Sequence, residues 1–193
     1  MILRKSDPDS AEKTAEILKQ EDIAIIPTDT IYGFSGIVPE TEEKIRKLKS
    51  REEQKSFIRL IASPEELRLY TGEPVPMELL ALWPGSLTLV VSLAVPNGAE
   101  QTAAFRCPGD QWLRRVIKQI GKPLYSTSVN RSRMPPLTAI DDIIREFGDA
   151  VPLIVSAGYC GNNQPSTIVD ISTGICKVLR QGIIPVPKLP EFR

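Results

Sequence analysis

The chain has 193 residues, 24 Lys and Arg against 24 Asp and Glu, 41% hydrophobic residues and no histidine. Such a length and composition suit one globular domain with a real core, and the balanced charge argues against bulk electrostatic binding of nucleic acid. The missing histidine excludes Ser-His-Asp and Cys-His catalysis, HExxH metal sites and every His-ligated zinc or haem. Acid–base work near neutral pH is left to carboxylates, a perturbed lysine, substrate or water. Cys107, Cys160 and Cys176 form no CxxC pair, as expected of small buried thiols in a reducing compartment. The start of the chain turns polar at once, so no signal peptide is expected. The longest apolar stretch, Leu87 to Val95, is broken by Thr88 and Ser92 and is too short for a bilayer. A cytoplasmic location with no membrane partner is expected.

Helical and strand-like patterns alternate along the chain. Asp7-Pro8 reads as an N-cap with Pro at the first helical position, followed by Ala11, Thr14, Ala15 and Leu18 at helical spacing. Ile23 to Ile26, ending at Pro27, reads as a buried strand. Residues 41–49 predict a helix capped by Thr41, Phe57 to Ile61 a strand, and Ser63-Pro64-Glu65-Glu66 a capping box opening a short helix. Leu87 to Leu93 and Ala103 to Arg106 predict strands. Asp110 to Ile120 predicts a helix closed by Gly121, and Pro123 to Ser126 a strand. A helix over 139–147, capped by Thr138 and closed by Gly148, and strands near 151–155, 166–171 and 176–180 complete the pattern. This alternation predicts an α/β domain on a mixed sheet, residues 1–184, with an extended Pro-rich tail over 185–193.

Three segments carry candidate chemistry. Pro27-Thr28-Asp29-Thr30-Ile31-Tyr32-Gly33 follows a buried strand, where ligand loops of α/β sheets sit, although Thr and Asp also cap ordinary turns. Lys49-Ser50-Arg51 with Lys55 combines point charges with a planar fork, which suits a polyphosphate. It lies within a run from Lys44 to Arg59 holding seven basic and two acidic residues, read equally as a solvated helix face. No GxxxxGK[ST] occurs, so a P-loop is excluded and side chains would have to hold phosphate. Ser126-Thr127-Ser128-Val129-Asn130 places hydroxyls and an amide at a strand end, as a ligand site or as a polar turn. Arg106, Ser166-Thr167 and Arg180 are weaker candidates. Arginines in apolar strands need an anionic partner, whether a substrate or a buried carboxylate. Phe57, Trp83 and Trp112 are expected in the core rather than as stacking platforms.

In order, these segments together with Trp83-Pro84-Gly85-Ser86-Leu87-Thr88, Ala104-Phe105-Arg106-Cys107-Pro108, Ser166-Thr167-Ile168-Val169-Asp170 and Leu179-Arg180-Gln181-Gly182 resemble the YrdC/Sua5 family of threonylcarbamoyl-AMP synthases. The likeness runs from about residue 10 to 183, in the short form without an added C-terminal domain. It implies a single-domain, twisted mixed α/β sheet flanked by helices, with a concave basic face. It also implies a nucleotidyltransferase that condenses L-threonine, bicarbonate or CO2 and ATP, with Mg²⁺, to threonylcarbamoyl-AMP and pyrophosphate. That product serves modification of an adenosine beside the anticodon of tRNA, with the proteins of the transferase complex, tRNA or double-stranded RNA as further partners. By motif, Lys49 and Arg51 are implied catalytic. Lys49, Arg51, Lys55, Thr102, Ser128, Asn130 and Arg180 are implied to hold ATP, and Thr28, Arg106, Ser126 and Ser166 to hold threonine. No residue is implied as a metal ligand, Mg²⁺ entering on ATP.

The sequence departs from the family pattern at Phe34, Ser56, Ser86, Val129 and Arg133. Arg133 stands where Gly commonly follows Ser132, and a side chain there either blocks a positive-φ turn or adds a phosphate contact. The competing expectation, motivated by the Lys44–Arg59 run and Arg133, is a non-catalytic RNA-binding or ribosome-assembly paralogue.

Overall fold

The computed structural model describes residues 1–50, 56–97, 100–158 and 164–187. Arg51, Lys55, Cys160 and the tail from 188 lie outside the described residues. Ten strands form a single mixed sheet: β1 (Ile2–Arg4), β2 (Ala24–Pro27), β3 (Tyr32–Ile37), β4 (Ile58–Leu60), β5 (Leu87–Asn97), β6 (Glu100–Arg106), β7 (Leu124–Ser128), β8 (Leu153–Ser156), β9 (Thr167–Asp170) and β10 (Lys177–Arg180). Their order is β1-β8-β2-β3-β7-β4-β6-β5-β9-β10. The pairs β1/β8, β2/β8, β4/β6 and β5/β9 are parallel, and the other five are antiparallel. The helices are α1 (Ser10–Lys19), α2 (Glu42–Lys49), α3 (Met77–Leu80), α4 (Gln111–Ile120) and α5 (Ile140–Phe147), with a 3-10 helix over Pro64–Leu69.

The hydrophobic pattern of each strand decides which helices cover it. Ala24 and Ile26 of β2 pack with Ala15 and Leu18 of α1 and Val116 and Ile117 of α4. The alternate residues Ile23 and Ile25 pack against Ile45 of α2 and Ile143 and Phe147 of α5 on the opposite face. Covered on both sides, β2 reads as an unbroken apolar run. In the other half of the sheet only one face is hydrophobic. Leu87, Leu89, Val91, Ala103, Phe105 and Val169 pack against Leu67 of the 3-10 helix and Leu79 of α3. The alternate residues, Thr88 of β5, Arg106 of β6 and Ile168 of β9, face the other way, toward the side that carries α1 and α4 beside β2. Helices thus cover three of the four quarters of the sheet, and the fourth holds a cleft lined by Arg106, Ser126 and Ser166. Trp83 is buried, and its indole N–H donates to Leu87 O at 2.7 Å. Phe57 is buried edge-on to Tyr125, and Trp112 packs partly buried against the α1/α4 core, all three as expected.

Local differences from the sequence reading have physical causes. Asp7 accepts from Arg4 N at 2.9 Å in a turn, so α1 opens at Ser10 with Asp9 before it. Thr41 precedes α2, but its hydroxyl donates back to Ile37 O at 2.9 Å instead of capping. Ser63 begins a 3-10 rather than an α-helix, and Glu66 reaches back to Ala62 N. Ala139, not Thr138, precedes α5. Asp110 caps α4 as expected, accepting from Leu113 N at 3.0 Å, and Gly121 closes it with φ 75°. Strands β1 and β3 and helix α3 were not evident in the sequence. β3 lay hidden because Tyr32 and Gly33 read as part of a ligand loop. Cys107 is buried and Cys176 half-buried, and Val186 of the tail segment packs on the third core cluster.

Phe34 and Phe147 meet edge to face at 4.9 Å between ring centres, both fully buried. Truncating such a ring removes its transfer free energy and leaves a cavity, so Phe147→Ala is expected to cost ~3–5 kcal/mol in urea unfolding.

Candidate functional site

The cleft has a volume of about 570 Å³. Its floor is the uncovered sheet face, rather than the strand ends that the open-sheet rule favours. β7 supplies Ser126 and Ser128, the start of β4 supplies Ser56, Phe57 and Ile58, and β6 supplies Arg106. The loop after β2 provides one wall. Thr28 Oγ1 donates to Ile31 O at 2.7 Å and accepts from the backbone N–H of Thr30 and Ile31, both at 3.2 Å. The hydroxyl thus ties the loop into a turn that folds over the sheet face. Gly33 permits the close approach, because a Cβ there would sit 3.0 Å from Ser126 Oγ and 3.8 Å from the Thr28 methyl.

At one end of the cleft the turn meets Arg106, which is 5% exposed. Its terminal nitrogens donate to Asp29 Oδ1 and, at 3.1 Å, to Thr30 Oγ1, while Nε donates to Gly85 O at 3.2 Å. Asp29 Oδ2 accepts from Gly109 N at 2.9 Å. Burial pushes the Asp29 carboxyl up, but the Arg106 guanidinium and these hydrogen bonds outweigh it and hold the carboxyl below its ordinary 3.8. Ser166 is buried, pairs with Thr88 Oγ1 at 2.8 Å, and receives Arg180 through both its carbonyl and its hydroxyl at 3.0–3.3 Å. A Cβ on Gly182 would collide with the Pro165 carbonyl, so glycine lets the strand end bring Arg180 onto Ser166. Arg180 has no carboxylate partner among the described residues. Partial burial and the neighbouring Arg106 charge both lower its pKa. Two guanidiniums and one carboxylate leave a single positive charge at this end.

Lys49 is buried at the end of β7. Its ammonium lies 5.6 Å from the Phe34 ring centre and donates to Ser128 O, to Asn130 O at 3.2 Å and to Asn130 Oδ1 at 2.6 Å. Ser128 Oγ donates to the same Asn130 Oδ1 at 2.6 Å. Lys49 and Asn130 therefore hold the loop beside the cleft and are not among its lining residues, whereas Thr28, Arg106, Ser126, Ser128, Ser166 and Arg180 are. Thr102 is exposed, two residues beyond Ala104, which pairs with Ile58. Arg133 adopts φ 69°, so the turn forms despite its side chain. Within the Lys44–Arg59 run, Lys44 pairs with Asp22, Arg46 with Glu42 and Arg59 with Glu100. Asp29 and Thr30 are site residues that the sequence offered only within the Pro27–Gly33 segment, with no role of their own. Their signal was the Thr-Asp-Thr run itself, in which turn formation and ligand binding look alike. Among the described residues, no three of His, Cys, Asp and Glu converge to hold a metal, and no helix is long and apolar enough to cross a membrane.

A depressed carboxyl pKa adds stability that is present above the unfolded value and lost as pH falls through the folded one. Asp29→Asn is expected to cost ~3 kcal/mol at pH 7, because it leaves Arg106 buried without its anion. That gap should narrow below about pH 4, where Asp29 of the unfolded chain begins to protonate, and close as pH falls through the lower pKa of the folded protein, as read by urea unfolding of both proteins across the acid range.

The family model Sua5_yciO_yrdC, described as telomere recombination, matches residues 16–182. The threonylcarbamoyl-AMP synthase of Vibrio parahaemolyticus is 31% identical over 187 residues, covering 90% of this chain and 100% of that one. The threonylcarbamoyl-AMP synthase of Marinobacter nauticus is 35% identical over 161 residues, 77% of this chain and 84% of its own. The crystal structure of P. abyssi Sua5 complexed with L-threonine superimposes with a TM-score of 0.83 at 26% identity over 94% of this chain, which spans 57% of that protein's length. E. coli YciO shares the fold, with a TM-score of 0.82 at 20% identity over 95% of both chains. A family model spanning most of the chain, relatives matched over most or all of their length and a shared fold agree: the chain belongs to the Sua5/YciO/YrdC family.

Proposed function

We propose that this chain is a threonylcarbamoyl-AMP synthase, joining L-threonine, bicarbonate or CO2 and MgATP into threonylcarbamoyl-AMP and pyrophosphate for tRNA modification in the cytoplasm. The observation that carries the reading is the cleft end where Arg106 and Arg180 converge over the hydroxyls of Thr30, Thr88 and Ser166 with one net positive charge. A carboxylate is the ligand such an end favours, because a guanidinium fork binds it in two parallel hydrogen bonds. Relatives named threonylcarbamoyl-AMP synthase that run the length of this chain, and a Sua5 solved with L-threonine, support the same choice.

In this reading the threonine carboxylate meets Arg106, with Thr28, Ser126 and Ser166 around the amino acid. The amine attacks CO2, and the carbamate oxygen then attacks the α-phosphorus of ATP, expelling pyrophosphate. Neither step needs histidine. Positioning and charge neutralisation supply most of the rate in phosphoryl-type transfer. Arg51 and Lys55 neutralise the phosphates by contact, Lys49 adds its charge from behind the loop it holds, and Mg²⁺ enters as part of MgATP. Ser128, Asn130 and Arg180 hold the nucleotide, with Thr102 at the outer end of the same sheet face. By gripping Ser128 and Asn130, Lys49 also sets the position of the nucleotide loop. The RNA-binding alternative draws less support, since Lys44, Arg46 and Arg59 already face acidic partners.

Pyrophosphate release is expected only when ATP, L-threonine and bicarbonate are all present. Release without threonine, or none, overturns the reading. Arg51→Ala should lower turnover about 10- to 100-fold, the cost of one charge-assisted phosphate contact, and Lys49→Ala by a similar factor, because it removes a charge and the anchor of Ser128 and Asn130. A loss under about threefold in either variant overturns that residue's assignment.

A further inference from the structure

Arg106 carries five N–H donors. Three are engaged by Asp29 Oδ1, Thr30 Oγ1 and Gly85 O, which leaves one on each terminal nitrogen. Those two donors, on a side chain that lines the cleft, are enough for the two oxygens of one carboxylate. Asp29 is itself held from behind by Gly109 N, so the guanidinium cannot swing without breaking a second anchor. Asp29 is not among the residues lining the cleft. It acts there only through Arg106 and through the charge it cancels.

We propose that Asp29 is a positioning and specificity-determining residue. It fixes the two remaining Arg106 donors and lowers the charge of the Arg106–Arg180 end from two to one, so that the end takes the single carboxylate of an incoming zwitterionic amino acid in preference to that of a free small dianion. The charge argument is independent of the amino acid's identity. With Asp29 removed, two uncompensated guanidiniums face the cleft, which favours a dianion and disfavours a ligand that brings its own ammonium group. The choice of a zwitterion rests on the threonine reading above, whereas the discrimination against a free small dianion rests on the Arg106, Arg180 and Asp29 geometry alone.

The test is calorimetric binding of malonate, a small dianion, to the full chain. Asp29→Asn is expected to bind malonate ~10-fold more tightly than wild type, a gain that mere loosening of the fold does not produce. The gain should vanish in Asp29→Asn/Arg106→Met, and Asp29→Glu, which keeps the charge, should stay within threefold of wild type. Asp29→Ser is the second neutral variant if the Asn protein is too unstable to handle. A gain under threefold in the folded neutral variant, or one that survives loss of Arg106, overturns the proposal. L-Threonine titrated into wild type separates the two readings. Absence of threonine binding sinks the synthase reading and leaves the malonate result to decide the role of Asp29.

Discussion

A ten-stranded sheet has two faces to hide, and this chain has helices enough for three quarters of them. α1 and α4 cover one face of the β1–β7 half, and α2 and α5 cover the other. The 3-10 helix and α3 cover one face of the β4–β9 half. The remaining quarter carries no helix among the described residues, and loops fold over it instead. Its lining mixes Ile58 and Ile168 with Ser126, Ser166 and Arg106, whose polar atoms must find partners within the protein or in a ligand. The cleft and its chemistry follow from that single deficit of cover.

The deficit also explains why the site is dense in internal hydrogen bonds. Arg106 is almost wholly buried, and a buried guanidinium without an anion is costly. Asp29 meets that need, and Gly109, Thr30 and Gly85 complete the shell. Arg180, more open to solvent, manages with the neutral oxygens of Ser166. The two arginines therefore differ in kind, one neutralised and rigid, the other charged and accessible. In a site without histidine, this graded charge is what the fold offers to an anionic substrate.

Lys49 shows how an apparently simple basic motif can act at a distance. Its helix lies on the face opposite the cleft, yet its ammonium reaches the end of β7 to hold Ser128 and Asn130. Two sequence segments that look independent, around residue 49 and over 126–130, are thus one mechanical unit. Arg133 belongs to the same turn and adopts a left-handed conformation, a geometry at odds with its side chain. The surrounding contacts, including Ser132 N to Lys49 O at 2.8 Å, hold it there.

By itself the sequence determined the α/β class, most strands and helices, the capping of α4 by Asp110 and Gly121, and the burial of Trp83 and Phe57, because these depend on local pattern and hydrophobicity. It also brought forward Thr28, Arg106, Ser126, Ser128, Ser166 and Arg180, polar groups in settings where polar groups need a reason. It did not disclose β3, whose Tyr32-Gly33 start looked like loop, or the short β1 and α3, which carry too few residues for a period. Nor did it disclose that Asp29 neutralises Arg106 while Lys44 and Arg59 meet Asp22 and Glu100 elsewhere in the chain. Those pairings join residues as far apart as 29 and 106. Only the tertiary structure decides them, because Coulomb interactions follow distance in space and the order of strands in the sheet, not separation along the chain.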